Sequence, residues 1–218
     1  MNIVEPYARL MDIETPEQGA SLLRKIEWCG RISHRSEDAQ TADTAERFLR
    51  AVVISHGDWS IVEHASATVD ILCDRGVTHE IVRHRIAAYT QESTRFVNYD
   101  KKMPPSFVRP IGLDDVQASH WQHAIENCEQ RYRDMLAHGC APQIARSVFP
   151  NALASRIVMT CNLRNWRHFL LMRTTKEAHP QMRQITIPLL AEFQAKIPVI
   201  FEDIEPLARQ ADNIRKGR

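Results

Sequence analysis

Apolar residues recur at helical spacing at Leu22, Leu23, Ile26 and Cys29, and again at Ala45, Phe48, Leu49, Val52 and Val53. Steps of three and four residues gather each set on one helix face, so the pattern predicts two amphipathic helices. The second would be capped by Thr41 or Asp43 and stopped by Gly57. From His64 to Asp74 the period changes to two: Ala65, Ala67, Val69, Ile71 and Cys73 share one face, with Ser66, Thr68, Asp70 and Asp74 on the other. That alternation predicts a half-buried strand, and Asp74-Arg75-Gly76 reads as a turn into a short helix over Val77 to Ile86. Lys101 to Gly112 holds three prolines and reads as a loop. Gln117 to His138 is a long helix closed by Gly139; a short one opens at Pro142, whose fixed φ suits a first turn, and ends at Pro150. In Arg156 to Asn162, Ile157, Met159 and Cys161 alternate with Val158 and Thr160, which predicts a second strand. Asn165 to Arg173 and Met182 to Lys196 follow as helices, with Pro188 either kinking the last or marking its start. Repeats and linkers are absent, so the expectation is one α+β domain over residues 1–218, a central antiparallel or mixed sheet flanked by helices.

Length and composition narrow the class without changing that picture. A chain of 218 residues fits one domain, and 44% hydrophobic with 25% charged residues is ordinary for a globular protein. No apolar run approaches the roughly 20 residues of a membrane span, and Glu5, Arg9, Asp12 and Glu14 interrupt the first segment. A cytoplasmic protein with no membrane partner is expected. The formal charge of +1 removes the general attraction to nucleic acid that a basic domain has, so no nucleic-acid partner is expected either. Basic residues must act locally. They are 22 Arg and 6 Lys, and Arg is suited to a two-pronged grip on phosphate, although genome base composition explains surface arginines equally well. Five scattered cysteines without a CxxC pair read as reduced, mostly buried thiols. The seven glycines stand at least 11 positions apart, which excludes GxGxxG and Walker loops. A bound phosphate would have to be held by Arg side chains and helix N-termini.

Ten histidines raise the question of a metal. His79-Glu80-Ile81-Val82-Arg83-His84 resembles HExxH, but its histidines stand at i and i+5, about 140° apart on a helix at roughly 100° per residue. His120 and His123 share a face without a marked third ligand, and no metal site is expected. Ser93 has no GxSxG elbow, and no cysteine stands in an activating context. More unusual is the run Arg83-His84-Arg85 through Tyr89, Gln91, Glu92, Ser93 and Arg95, which sets three arginines and a histidine beside apolar Ile86, Ala87 and Ala88. It reads as a solvated face or as an anion-binding segment.

Arg83-His84-Arg85, seven residues, then Ser93 resembles the RHRx7S signature of the flavin-dependent thymidylate synthases, and Gln91-Glu92-Ser93-Thr94-Arg95-Phe96 is similar to one branch of that family. Ser60-Ile61-Val62-Glu63-His64 resembles the family's S/T-x-x-E-H. Ala145 to Asn151, Asn162-Leu163-Arg164 and His168 to Arg173 add matching blocks in order from about residue 56 to 205. The resemblance implies that family's fold and a homotetrameric, FAD-dependent enzyme with active sites shared between subunits. The implied reaction converts deoxyuridylate (dUMP) to thymidylate (dTMP), with methylenetetrahydrofolate as carbon donor and NADPH as reductant. It also implies flavin contacts at Ser60, Arg83, His84, Arg85, Gln91, Asn162, Arg164 and His168. Nucleotide contacts are implied at Glu80, Arg83, Glu92, Ser93, Thr94, Arg95, Arg146 and Arg173, with Arg95 and Arg146 on the phosphate. Arg173 would stabilise the pyrimidine anion, and Ser93 would be a hydrogen-bonding contact rather than a covalent nucleophile.

The chain departs from the family at a few positions. Glu80 stands where many members have Gln, Gln91 where Glu is common and Ala88 where Ser is common. The histidine of the Glu177 to Arg183 segment, His179, is displaced and receives no role. Two other functions remain open on the sequence: a relative making another 5-substituted deoxyuridylate, such as a hydroxymethyl product, and a catalytically silent nucleotide-binding or nucleic-acid-binding module.

Overall fold

A computed structural model describes residues 1–99 and 103–205. The chain is α+β, and a four-stranded sheet takes the order β2-β3-β6-β4, formed by Tyr7–Leu10 (β2), Ser66–Asp74 (β3), Ala88–Gln91 (β4) and Ala154–Asn162 (β6). β3 and β6 run antiparallel: Leu163 N donates to Ala65 O at 2.9 Å at one end, and Arg75 N to Leu153 O at 3.0 Å at the other. Asn2–Ile3 (β1) and Ser106–Phe107 (β5) pair in parallel apart from this sheet. The helices are Pro16–Ile32 (α1), Ala45–Leu49 (α2), Arg75–Ile81 (α3), Asp115–Ala137 (α4), Pro142–Ala145 (α5), Leu163–Arg173 (α6), Pro180–Lys196 (α7) and Pro198–Phe201 (α8).

Two compact units divide the chain. The first comprises Met1–Tyr7, Ile71–Arg83 and Tyr89–Val158; the second comprises Ala8–Asp70, His84–Ala88 and the described residues from Met159 onward. In the first, α4 runs from a capping box at Asp114 and Gln117 to Gly139, whose φ of 81° closes the helix as the sequence suggests. Tyr132 of α4 stacks on Phe149 with ring centroids 4.5 Å apart and shares a buried cluster with Tyr99 and Ala145. In the second, Trp166 of α6 is fully buried and donates its indole N–H to Ala67 O at 2.9 Å. Phe169, Phe193 and Phe201 complete an aromatic core there. α1 meets α7 at Gly19, where a Cβ would lie 1.8 Å from Lys196 O; only glycine permits so close an approach.

The apolar faces of the alternating segments behave as predicted: Ala65, Ala67, Val69, Ile71 and Cys73 are buried, as are Ile157, Met159 and Cys161, but Asp70 and Asp74 on the opposite face of β3 are buried as well. Several expectations change. The N-cap position of the second helix is Thr44, not Thr41 or Asp43, with no capping bond from its side chain, and after Leu49 the helix continues as a wider π-type turn, Arg50–Ser55. No turn separates β3 from α3, because Asp74 Oδ1 accepts from Val77 N at 2.9 Å and starts the helix at once. α3 stops at Ile81 instead of reaching Ile86: its buried stripe of Val77, Thr78 and Ile81 meets His84 and Arg85 next, which offer no apolar continuation. Ala88–Gln91 then forms an unpredicted strand, too short and polar to signal itself. Pro188 lies inside α7 on its exposed side, while Ile185, Leu189 and Phe193 anchor the buried side. Of the expected loop over residues 101–112, Lys101 and Lys102 lie outside the described residues, and Ser106–Phe107 is the strand paired with the amino-terminal one. All five cysteines are free, but only Cys73 and Cys161 are fully buried. Among the described residues no helix is long and apolar enough to cross a membrane.

Candidate functional site

The first unit carries Glu80, Arg83, Gln91 to Arg95 and Arg146. Glu80 is half-buried on α3, and Arg83 is exposed just beyond that helix. Gln91 closes β4 with both amide hydrogens committed, donating from Nε2 to Thr78 Oγ1 and to Ser155 Oγ, each at 3.0 Å. Its carbonyl oxygen is then the polar end left for a ligand. Glu92 is bound to the edge of β6: its N–H donates to Arg156 O at 2.8 Å, and its Oε2 accepts from Arg156 N at 3.4 Å. Ser93 Oγ accepts from Arg95 N at 3.3 Å, and Ser93 O accepts from Val97 N at 3.0 Å, which closes a tight turn. Thr94 is buried and accepts from Arg146 Nη1 at 2.7 Å, while exposed Arg95 donates from Nε to Gln143 Oε1 at 3.2 Å. The two arginines expected at a phosphate are thus both tied to the turn between β4 and the α5 region. Guanidinium groups held in this way suit a bidentate anion contact.

The second unit carries Ser60, His84, Arg85, Asn162, Arg164, His168 and Arg173. Ser60 is exposed on the 3-10 turn Trp59–His64. Asn162 caps α6, its Oδ1 accepting from Asn165 N at 2.9 Å. Arg164 Nη1 donates to Glu63 Oε1 at 2.5 Å across an exposed ion pair, and such a pair orients a side chain more than it stabilises the fold. At the far end of α6, Arg173 Nε donates to His84 Nε2 at 3.0 Å. The His84 ring packs edge-on against Phe169, with centroids 4.8 Å apart, and against His168 at 5.9 Å. Burial, then the Arg173 charge and the neighbouring His168, hold the His84 pKa down to about 4. His84 is therefore neutral near pH 7, with Nε2 unprotonated as the acceptor and the hydrogen on Nδ1.

His79 sits exposed on α3 and His84 lies past its end, so the HExxH-like run is not a single helix face at all. No group of three or more His, Cys, Asp or Glu side chains among the described residues is arranged to hold a metal ion. His179 caps α7, its Nδ1 accepting from Gln181 N at 3.2 Å. Reading the sequence assigned no role to the partners that fix the site: Thr78, Ser155, Tyr99, Gln143 and Phe169, the last of which stands inside a matched block. Each is met through the tertiary fold at separations no motif encodes. Glu63 stands inside a motif, but nothing along the chain ties it to Arg164, 101 residues on.

The model of the family described as thymidylate synthase complementing protein matches residues 20–199. The chain belongs to that family. The flavin-dependent thymidylate synthase of Mycobacteroides abscessus is 36% identical over 219 aligned positions, covering 93% of this chain and 86% of the relative. That of Corynebacterium efficiens is 33% identical over 209, covering 88% and 82%. Among solved structures, the UMP/dUMP methylase PolB of Streptomyces cacaoi, crystallised with 5-Br dUMP, superposes with a TM-score of 0.73 over 93% of this chain and 96% of that one. Their sequence identity is 23%, so this likeness is one of fold. The family expected from Arg83-His84-Arg85 and Ser93 is the right one, and with it an enzyme of the flavin-dependent thymidylate synthase type.

Proposed function

We propose that this chain methylates dUMP to dTMP, taking the carbon from methylenetetrahydrofolate and using FAD reduced by NADPH, as a step of dTMP biosynthesis in the cytoplasm. The observation that carries this reading is the family match over residues 20–199, together with relatives of that activity aligned over more than four-fifths of their length. The chain acts as one catalytic domain in a homotetramer with active sites shared between subunits.

The donor set fits FAD. Arg85, Arg164 and His168 are exposed cationic or hydrogen-bonding side chains, and Asn162 and His84 stand beside them in sequence or contact. They replace the glycine loop that the chain lacks. Cys73 and Cys161 are buried thiols, the latter with its pKa pushed up to about 12 by burial, and neither is suited to tether a flavin. When bound, FAD supplies the hydride that reduces the transferred carbon. Ser60, Arg83, His84, Arg85, Gln91, Asn162, Arg164 and His168 would hold it.

The nucleotide is held by Glu80, Arg83, Ser93, Thr94, Arg95, Arg146 and Arg173, and by the backbone of Glu92, whose carboxylate is engaged by the Arg156 N–H instead. Arg95 and Arg146 grip the phosphate. C5 of the pyrimidine becomes nucleophilic as negative charge develops at N3, and the Arg173 guanidinium stabilises that charge. Its Nε–H is engaged by neutral His84, so the plane of the cation is set before substrate arrives. Ser93 positions the nucleotide through a hydrogen bond, and its hydroxyl, bonded to the Arg95 N–H, has the setting of a turn residue rather than of a nucleophile.

Purified holoenzyme supplied with dUMP, methylenetetrahydrofolate and NADPH is expected to form dTMP, identified by mass. A 5-hydroxymethyl product would move the chain to a related reaction. Flavin-free protein that binds dUMP without turnover would make it a silent binding module.

A further inference from the structure

We propose that Tyr99 is a positioning residue of the nucleotide site: its hydroxyl holds the Glu92 carboxylate inward and so allows an acidic side chain to stand within a phosphate-binding segment. The inference rests on the reading above, in which Glu92 to Arg95 meets dUMP.

Glu92 sits three residues before Arg95 and two before Thr94, which is bonded to Arg146. A carboxylate free to swing there has two outcomes, both adverse to a nucleotide. It repels the phosphate, or it pairs with Arg95 or Arg146 and removes a cation from the phosphate. Tyr99 prevents both. Its Oη donates to Glu92 Oε1 at 2.7 Å, a charge-assisted bond, while the other oxygen accepts from Arg156 N.

The donor is fixed and stays a donor. Tyr99 is buried, its ring lies edge-on to Phe149 at 5.6 Å and to Tyr132 at 6.2 Å, and its N–H donates to Tyr132 Oη at 3.4 Å. Burial and the adjacent carboxylate push the phenol pKa well above its ordinary value, so the hydroxyl keeps its hydrogen throughout the working range of pH. The cluster that seats Tyr99 also contains Ala145, with Val148 and Phe149 packed against it. Ala145 immediately precedes Arg146, and Val148 follows it by two residues. One apolar cluster therefore places both the group that restrains the carboxylate and a cation that binds the phosphate.

The test compares FAD-loaded full-length wild type, Tyr99→Phe, Glu92→Leu and the double variant, measuring dUMP dissociation constants by calorimetry together with KM and kcat. Tyr99→Phe keeps the ring and removes the shorter of the two bonds that restrain the carboxylate. The dissociation constant and KM for dUMP are expected to rise about tenfold, the scale of one hydrogen bond to a charged group. Turnover at saturation is expected to stay within about twofold, the signature of lost uniform binding. Tyr99→Phe/Glu92→Leu is expected to bind dUMP several-fold more tightly than Tyr99→Phe. Any general weakening of the fold by Phe is common to both variants, so their difference reads the carboxylate alone. Wild-type affinity in Tyr99→Phe, or a double variant no better than that single one, overturns the inference and leaves the proposed function standing. A wild-type holoenzyme that binds no dUMP overturns both.

Discussion

Arg173 donates its Nε–H to the neutral imidazole of His84 at 3.0 Å, which fixes the plane of the guanidinium. A guanidinium held in one plane is oriented in advance for an anion that develops during reaction. Arg173→Ala is expected to lower turnover by about 10² to 10³, the cost of one preorganised electrostatic donor, while FAD content stays near wild type. Arg173→Lys restores little, because a point charge lacks the planar fork. Steady-state kinetics with flavin absorbance checks both. The pair also predicts a pH dependence. In the folded chain the His84 pKa is lowered from 6.5 to about 4, so between those values the unfolded chain holds a proton that the folded chain does not. The stability is fully present above about pH 6.5 and is lost as pH falls toward about 4. Thermal melts at pH 7.5 and 4.5 should therefore show a larger drop for wild type than for His84→Asn; equal drops would remove His84 from the balance. Both residues were legible as motif members, but their mutual bond was not, since 89 residues separate them.

At the scale of elements, periodicity read the long helices and the two nine-residue strands, because those segments bury enough side chains for the pattern to repeat. It failed for β1, β2, β4 and β5, which have two to four residues each and are defined by backbone pairing rather than by any stripe of apolar side chains. It also failed at the end of α3, where the cations of the site replace the core stripe. The start of α6 illustrates the overlap of structural and functional demands. Asn162 spends its Oδ1 on the cap, which leaves its amide N–H₂ group for a flavin. Asn162→Asp keeps the capping acceptor and adds a charge that the helix N-terminus favours, so the melting temperature should hold. The same change replaces two donors with an acceptor, and FAD titration should show weaker binding. Asn162→Ala, by contrast, should weaken both, with about 1 kcal/mol lost from stability. An aspartate variant that binds FAD as wild type does would leave Asn162 as a cap alone.

For the whole molecule, a net charge of +1 leaves no general field to draw in anions, and the cations that matter are placed by individual bonds. The residues expected at the nucleotide are divided: Arg95 and Arg146 belong to one unit of the chain and Arg173 to the other. If the proposed homotetramer shares its sites between subunits, Arg95 and Arg173 of one active site would come from different chains. Arg95→Ala and Arg173→Ala, each inactive alone, should then regain partial activity when coexpressed, because some mixed sites are intact at both positions. Sites built within one chain would show no rescue, since every chain carries one lesion. The experiment requires distinguishable affinity tags on the two variants, sequential purification to isolate mixed assemblies, and a mass measurement of the isolated species. Mixed tetramers without activity would show that the two arginines of a site come from one chain. A fully active monomer would refute shared sites outright.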